Sequence, residues 1–366
     1  MAAKFKVTKE KILDGLQRVQ NIVSTRTTLP ILSNVLVKAS SEGLSLTTTD
    51  LDVGVRCTVE AEVQKPGVTT LPARKLFSIL REIPAPEIEV EVDDRNAASV
   101  RGGSSYFKIM GLPEEEFPPF PKASDGNKLK IGQMAMRDML KKTAYAVSAD
   151  ETRYVLNGVF MSFKGDKLTL VATDGRRLAL AEQELELAKG GEVELILPTK
   201  AVNELLRQLA DKGDLEMSIG ENQILLDFDG TTLFSKLIEG TYPNFRQVIP
   251  TEAKERVGLE REQLLSALHR ASILASEKTQ SVKMQFAKNT LTITATTPEV
   301  GEATETLAIK YKGKDVTIAF NPLYLMDPLR NLDADEVFFE LTDELSPGVL
   351  KINGPFLYVL MPMRLS

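Results

Sequence analysis

The chain holds one cysteine, one histidine and no tryptophan in 366 residues. With Cys57 alone, an intrachain disulfide and any cysteine-based metal cluster are excluded. With His269 alone, histidine zinc sites, Ser-His-Asp triads and Cys-His pairs have hardly a partner to draw on. No stretch approaches the roughly 18 apolar residues of a membrane span. The opening Met1-Ala2-Ala3-Lys4-Phe5-Lys6 lacks the apolar core of a signal peptide. These absences set the expectation of a cytoplasmic protein that makes no membrane contact. Phosphate-cradling glycine loops are missing too: Arg101-Gly102-Gly103-Ser104-Ser105 runs into a strand pattern rather than a helix and reads as a hairpin turn. Aspartate and glutamate total 51, so carboxylate chemistry stays open, but no two stand in a recognisable acid/base arrangement. No cofactor, metal or catalytic constellation is expected.

What the chain has is repetition. Leu44-Ser45-Leu46-Thr47-Thr48-Thr49-Asp50 is echoed 124 residues later by Leu168-Thr169-Leu170-Val171-Ala172-Thr173-Asp174, and 123 residues after that by Leu291-Thr292-Ile293-Thr294-Ala295-Thr296-Thr297. A period this long is that of a domain able to bury its own core, unlike the roughly 20–50 residues of solenoids and propellers. The expectation is three similar α+β domains, 1–124, 125–250 and 251–366, with linkers near 118–127 and 243–254 where proline and polar residues gather. Each opens on an amphipathic helix: Ile12, Leu16, Val19 and Val23 share one face, as do Met136, Leu140, Thr143 and Val147, and Leu264, Leu268, Ala271 and Ala275. A second helix is expected after Leu71-Pro72-Ala73, Leu197-Pro198-Thr199 and Phe320-Asn321-Pro322, with proline suited to a helix start. Between helices, alternations such as Ile88, Val90 and Val92 against Glu87, Glu89 and Glu91 read as antiparallel strands.

Basic residues recur on these helices. Arg18, Lys142 and Arg270 hold equivalent positions, and Arg74 with Arg81 and Lys200 with Arg207 each share a face. Taken singly, each reads as solvated helix surface; as a recurring set they suggest a wall facing phosphates, on a body whose formal net charge is −6. Such a body binds DNA weakly through charge and needs another means of staying on it, such as a closed ring.

The motifs Thr28-Leu29-Pro30-Ile31-Leu32-Ser33-Asn34, Leu71-Pro72-Ala73-Arg74-Lys75, Arg153-Tyr154-Val155-Leu156-Asn157-Gly158, Ala172-Thr173-Asp174-Gly175-Arg176-Arg177-Leu178 and Tyr358-Val359-Leu360-Met361-Pro362-Met363-Arg364-Leu365 carry a resemblance over essentially the whole length. The chain resembles the bacterial DNA polymerase III beta subunits, the replicative sliding clamps. The resemblance implies a non-catalytic processivity factor of the DNA clamp fold, a head-to-tail homodimeric ring around duplex DNA. It places Lys75, Phe107, Ile109, Ile273 and Leu274 at the dimer interface, with Glu299, Glu302 and Glu305 as charge partners. Ile109 and Leu274 read equally well as core. It implies DNA contacts, without base readout, from Arg26, Arg74, Arg81, Arg153, Tyr154, Lys200 and Arg207. It also implies a pocket for short peptides ending in hydrophobic residues, presented by the replicative polymerase, the clamp loader, other polymerases and repair proteins. The pocket positions are Leu156, Thr173, Gly175, Arg177, Leu178, Pro243, Val248, Asn321, Tyr324, Val359, Met361, Pro362, Met363 and Arg364. Arg176 stands where familiar members carry histidine, which makes the rim more cationic. The competing readings are a specialised clamp paralogue and a carboxylate enzyme.

Overall fold

The computed structural model describes residues 3–23, 28–122, 127–184, 192–275, 281–298 and 300–364. Its elements repeat in threes. In the first repeat, β1 (Ala3–Thr8) leads into α1 (Lys9–Val19), then β2 (Asn34–Ser40), β3 (Gly43–Thr49), β4 (Val53–Val59), β5 (Glu62–Lys65), β6 (Gly67–Pro72), α2 (Ala73–Glu82), β7 (Glu87–Val92), β8 (Ala97–Gly102) and β9 (Ser105–Met110). The second runs β10 (Asn127–Gly132), α3 (Gln133–Thr143), β11 (Gly158–Lys164), β12 (Lys167–Thr173), β13 (Arg177–Glu184), β14 (Val193–Pro198), α4 (Thr199–Gln208), β15 (Asp214–Ile219), β16 (Gln223–Phe228) and β17 (Thr231–Lys236). The third runs β18 (Glu255–Glu260), α5 (Arg261–Ser272), β19 (Val282–Ala287), β20 (Thr290–Thr297), β21 (Gly301–Ala308), β22 (Val316–Phe320), α6 (Pro322–Asn331), β23 (Glu336–Leu341), β24 (Gly348–Lys351) and β25 (Phe356–Leu360).

The helices form where apolar residues recur at helical spacing and bury that face. Ile12, Gly15, Leu16 and Val19 of α1 are covered, as are Leu264, Ala267, Leu268 and Ala271 of α5. Gly15 costs helix propensity, but a Cβ there would lie 2.4 Å from Cγ2 of Val59, so glycine lets α1 lie close against β4. The proline expectation shifts by a residue between repeats: Pro72 and Pro198 close a strand just before the helix, whereas Pro322 is the first helical residue. The Glu87–Val92 alternation is a real strand, with Ile88, Val90 and Val92 inward, paired antiparallel with β1.

All strand pairs named here are antiparallel, yet the compact bodies are not the sequence repeats. The chain gathers into two units, Met1–Met134 with Asn203–Leu237, and Ala135–Val202 with Ile238–Ser366. The first unit holds a sheet of order β5-β1-β7-β8-β9 and one of order β10-β15-β16-β17-β4-β3-β2-β6. The second holds the orders β14-β11-β12-β13-β25-β24-β23-β18 and β21-β20-β19-β22. The middle repeat therefore lends one half-sheet to each unit. Its β17 zips onto β4, with Phe234 opposite Gly54, and its β13 zips onto β25, with Leu178 opposite Val359. Fusing the halves pairs main-chain groups that each would otherwise expose at an edge. Among the described residues, no helix is long and apolar enough to cross a membrane, and no group of three or more His, Cys, Asp or Glu residues could hold a metal.

Candidate functional site

In the second unit the turn between β12 and β13 is built by side chains that hold their own backbone. The Asp174 carboxylate accepts from the amides of Arg176 (2.9 Å) and Arg177 (3.1 Å). The Thr173 hydroxyl donates to the Arg177 carbonyl at 2.6 Å and accepts from the Gly175 amide at 3.1 Å. Gly175 sits at φ +83°, and a Cβ on it would stand 2.9 Å from a guanidinium nitrogen of Arg153. The left-handed backbone favours glycine there, and a Cβ would displace the end of the Arg153 side chain.

The turn delivers Arg177 to the centre of the site. Its Nε bonds Asp174 at 3.0 Å, one terminal nitrogen bonds Asp327 of α6 at 2.5 Å, and the other donates to the Tyr145 carbonyl at 2.5 Å. The guanidinium also lies 4.3 Å from the ring centroid of Tyr324, a cation–π contact. Burial works against its charge, but Tyr358, Asp327 and Asp174 outweigh that and raise its pKa above the ordinary arginine value. Burial likewise raises the Tyr145 and Tyr358 hydroxyls. Tyr358 donates to the Tyr324 carbonyl at 2.8 Å, whereas the buried Tyr145 hydroxyl has no hydrogen-bond partner. The result is a rigid polar knot at one end of an apolar cluster.

That cluster is Leu156, Phe160, Val171, Leu178, Ile196, Tyr242 and Val359, with Phe245 packed on it. The Phe160 and Tyr242 rings stack at 4.9 Å. Around it, Val248 and Met361 are exposed apolar groups at 50% and 44%, and Pro243 and Arg364 are exposed as well. Asn321 caps α6 through the Leu323 amide (2.9 Å) and so fixes the helix that carries Tyr324 and Asp327. The tail is strapped down: the Met361 amide bonds the Arg176 carbonyl (2.9 Å), and that of Met363 bonds the Ala319 carbonyl (2.8 Å), with Pro362 half-buried between them. The described structure thus gathers Leu156, Thr173, Gly175, Arg177, Leu178, Asn321, Tyr324, Val359 and the tail in one unit. Sequence reading missed Asp327 and Tyr145; Asp327 stands three residues after Tyr324, a spacing that shares a helix face.

Several of the basic residues expected on the wall are exposed on their helices and also make contacts within the chain. Arg26 lies outside the described residues, as does Glu299. Arg74 and Arg81 are exposed on α2, with Arg74 bonded to the Val23 carbonyl (3.2 Å) and Arg81 to Glu82 (3.1 Å). Arg207 is engaged internally: it bonds Glu204 and donates to the carbonyls of Gln17 (3.0 Å) and Arg18 (2.8 Å), capping the carboxyl end of α1. Arg270, expected on the same wall, forms a two-pronged pair with Glu305, expected as an interface charge (2.9 and 2.6 Å). Lys200 is half-buried on α4. Arg153 and Tyr154 border the Arg177 site, Arg153 reaching the Asp174 carbonyl at 3.4 Å and Tyr154 being 58% exposed.

The residues expected at the dimer interface lie on the edge strand β9, on α2 and just after α5. On β9, Phe107 is exposed, whereas Ile109 is 8% exposed and belongs to the core; Tyr106 and Met110 are the further apolar groups this edge presents. Lys75 is exposed on α2. At the end of α5, Ile273 is 72% exposed and Leu274 half-buried, its carbonyl held by Thr297 (2.9 Å).

Comparison with known proteins agrees with this organisation. Models of the DNA polymerase III beta subunit match in order, the N-terminal domain over 3–121, the central domain over 130–244 and the C-terminal domain over 246–364. The chain is 33% identical to a beta sliding clamp of Chlamydia muridarum, covering 99% of both chains, and 34% identical to one of Pseudomonas aeruginosa, covering 99% of this chain and all of that one. It superposes with a TM-score of 0.94 on a Pseudomonas aeruginosa DnaN sliding clamp bound to griselimycin, at 33% identity and full coverage of both. On a Bacillus subtilis DNA polymerase sliding clamp it superposes with a TM-score of 0.95, at 28% identity and again full coverage. With three matching domain models in sequence and relatives aligned from end to end, the chain belongs to the DNA polymerase III beta subunit family.

Proposed function

We propose that this chain is a DNA sliding clamp, a non-catalytic processivity factor that closes as a head-to-tail dimer around duplex DNA and tethers the replicative polymerase in the cytoplasm. The observation that carries the ring is a joint the chain already makes twice. The third strand after the opening helix of one repeat pairs with the last strand of the next: β4 with β17, then β13 with β25. Continued once more, the rule pairs β21 of the third repeat with β9 of a first repeat, and both are sheet edges in the single chain. The edges are complementary, with Lys108 on β9 and Glu302 on β21, and Ile273 stands exposed to meet Phe107. A joint between unlike surfaces of two copies is heterologous and closes into a ring when its rotation permits.

In this reading the Arg177 site takes the hydrophobic end of a partner's peptide, with Met361 and Met363 adapting to varied side chains. The replicative polymerase, the clamp loader and repair proteins use it in turn. Arg26, Arg74, Arg81, Arg153, Tyr154 and Lys200 supply sequence-independent contacts to DNA. The test is topological. Protein loaded by a clamp loader onto a nicked circle should stay bound, and should leave when the circle is cut once. Equal retention on linear and circular DNA overturns encirclement. Ile273→Glu should give monomers in sedimentation that still bind peptide.

A further inference from the structure

Between β21 and β22 the chain reads Ile309-Lys310-Tyr311-Lys312-Gly313-Lys314, a charge pattern that neither the fold nor the Arg177 site uses. Ile309 and Tyr311 are buried, and the Tyr311 ring tilts against Phe286 at 6.2 Å. The Asn289 amide bonds the Tyr311 carbonyl (3.0 Å), the Ile309 amide bonds the Asn289 carbonyl (3.1 Å), and the Tyr311 hydroxyl donates to the Lys314 carbonyl (2.6 Å). A Cβ on Gly313 would stand 2.5 Å from the Glu255 carboxylate, so glycine lets the main chain lie against the first residue of β18. The loop is therefore held in place. Lys310, Lys312 and Lys314 are left facing water, and the β19–β20 turn bonded to the loop adds the exposed Lys288.

The chain does not neutralise these charges. Elsewhere in the second unit Lys164, Lys167 and Lys351 pair with Glu192, Glu182 and Glu340 (2.9, 2.8 and 2.7 Å). Among the described residues, none of the four ammonium groups of Lys288, Lys310, Lys312 and Lys314 has an ion-pair or hydrogen-bond partner. Burial, then Glu255 and Asp315, raise the pKa of the Tyr311 hydroxyl, yet neither carboxylate pairs with a lysine. The loop is also continuous with the Arg177 site. β22 starts two residues after Lys314 and runs to Asn321, the cap of α6, and its Ala319 carbonyl holds the Met363 amide of the tail. Its five residues span about 17 Å.

We propose that Lys288, Lys310, Lys312 and Lys314 form a docking surface for an acidic segment that precedes the hydrophobic end of a partner's peptide. An extended flank of about eight residues, about 26 Å, covers the length of β22. The two contacts are linked, so the first raises the effective concentration of the second. An acidic protein segment fits better than nucleic acid. The Tyr311 ring is buried, which leaves the loop no aromatic face for a base to stack on, and a body of net charge −6 opposes a long polyanion.

This rests on the proposal that the Arg177 site binds peptides, and calorimetry with two synthetic peptides separates the two. Both end in leucine and phenylalanine; one carries a flank of about eight glutamates and the other the same number of glutamines. The glutamate peptide should bind the unaltered protein about tenfold more tightly at low salt, the effect of a few exposed ion pairs. That advantage should vanish at about 0.5 M salt and in Lys310→Gln/Lys312→Gln/Lys314→Gln, which should bind the glutamine peptide unchanged. Equal affinities for the unaltered protein overturn the docking surface. So does an advantage that survives in the triple variant, which assigns it to Arg153, Arg176 and Arg364 beside the site. Should the glutamine peptide bind neither protein, the Arg177 reading falls. The flank alone then decides: binding to the unaltered protein but not to the triple variant sustains the loop, and binding to neither overturns it as well. Oligothymidylate that binds through the same lysines more tightly than the flank overturns the acidic-protein partner in favour of nucleic acid.

Discussion

Replacing Arg177 by alanine should cost the second unit much of its stability, because the side chain joins two strands and a helix through groups that water barely reaches. Arg177 is 10% exposed, and its partners Asp174 and Asp327 are 15% and 27% exposed. Truncating one member of a buried pair costs about 3–5 kcal/mol, since the partner charges stay behind uncompensated. Water reaches part of Asp327, so the lower end applies, about 3 kcal/mol. For a unit of roughly two hundred residues, each kcal/mol moves the midpoint about 2–4 °C, giving a fall of about 6–12 °C. The control is Asp52→Ala, which breaks the pair with Lys236; those side chains are 72% and 56% exposed, and such a pair contributes at most about 1 kcal/mol. Calorimetric unfolding should show the second unit's transition fall for Arg177→Ala, and the difference should persist at 1 M salt because the pair is shielded from mobile ions. A midpoint shift no larger than that of Asp52→Ala would refute the buried-knot account, and with it the idea that Arg177 holds α6 against the β12–β13 turn.

The Asp174 turn recurs in the first repeat, where Asp50 accepts from the Asp52 and Val53 amides and Leu51 takes φ +82° against +83° for Gly175, and the two copies give a paired prediction. Leu51→Gly should raise stability by about 0.5 kcal/mol, relief of left-handed strain exceeding the chain entropy glycine adds, while Gly175→Leu should lower it by at least about 1 kcal/mol; urea midpoints that move alike would refute this. Burial pushes the Cys57 thiol up to about 12, from 9.0. The unfolded chain therefore releases that proton first, so the contribution is intact below about pH 9 and is lost by about 1.4 kcal/mol per unit as pH rises from 9 to 12. Urea unfolding of Cys57→Ala should lack that slope, and parallel pH curves would be the contrary result. Arg207→Ala should cost about 1–3 kcal/mol, by uncapping α1 and freeing Glu204, yet leave the salt dependence of DNA retention unchanged. A slope reduced by about one would instead make Arg207 a phosphate contact.

The repeat, the six helices and the acidic–apolar alternation of β7 were legible because each is a local periodicity. The division into units was not, because β4–β17 and β13–β25 are pairings across repeat boundaries, and no local pattern says which neighbour an edge strand will find. The contacts of the basic residues were not legible for a similar reason. Arg207 and Arg270 lie on exposed helix faces by periodicity, but Glu204, the α1 carbonyls and Glu305 reach them from elsewhere in the fold. Ile109 was ambiguous because alternation names two faces of a strand without saying which is covered. The residues expected at a peptide site came from the resemblance, and the structure adds what motif matching omits, that Asp327 and Tyr145 complete the knot around Arg177.

One joint, used repeatedly, accounts both for the symmetry of the chain and for the two unlike edges it leaves. Each use consumes the third post-helix strand of one repeat and the final strand of the next, so a chain of three repeats leaves one of each unspent, β21 and β9. An exposed edge invites pairing with any strand. Here the two leftovers differ, with Tyr106, Phe107 and Lys108 on one and Glu302, Thr304 and Thr306 on the other, so like edges do not match and the head-to-tail pairing is selected.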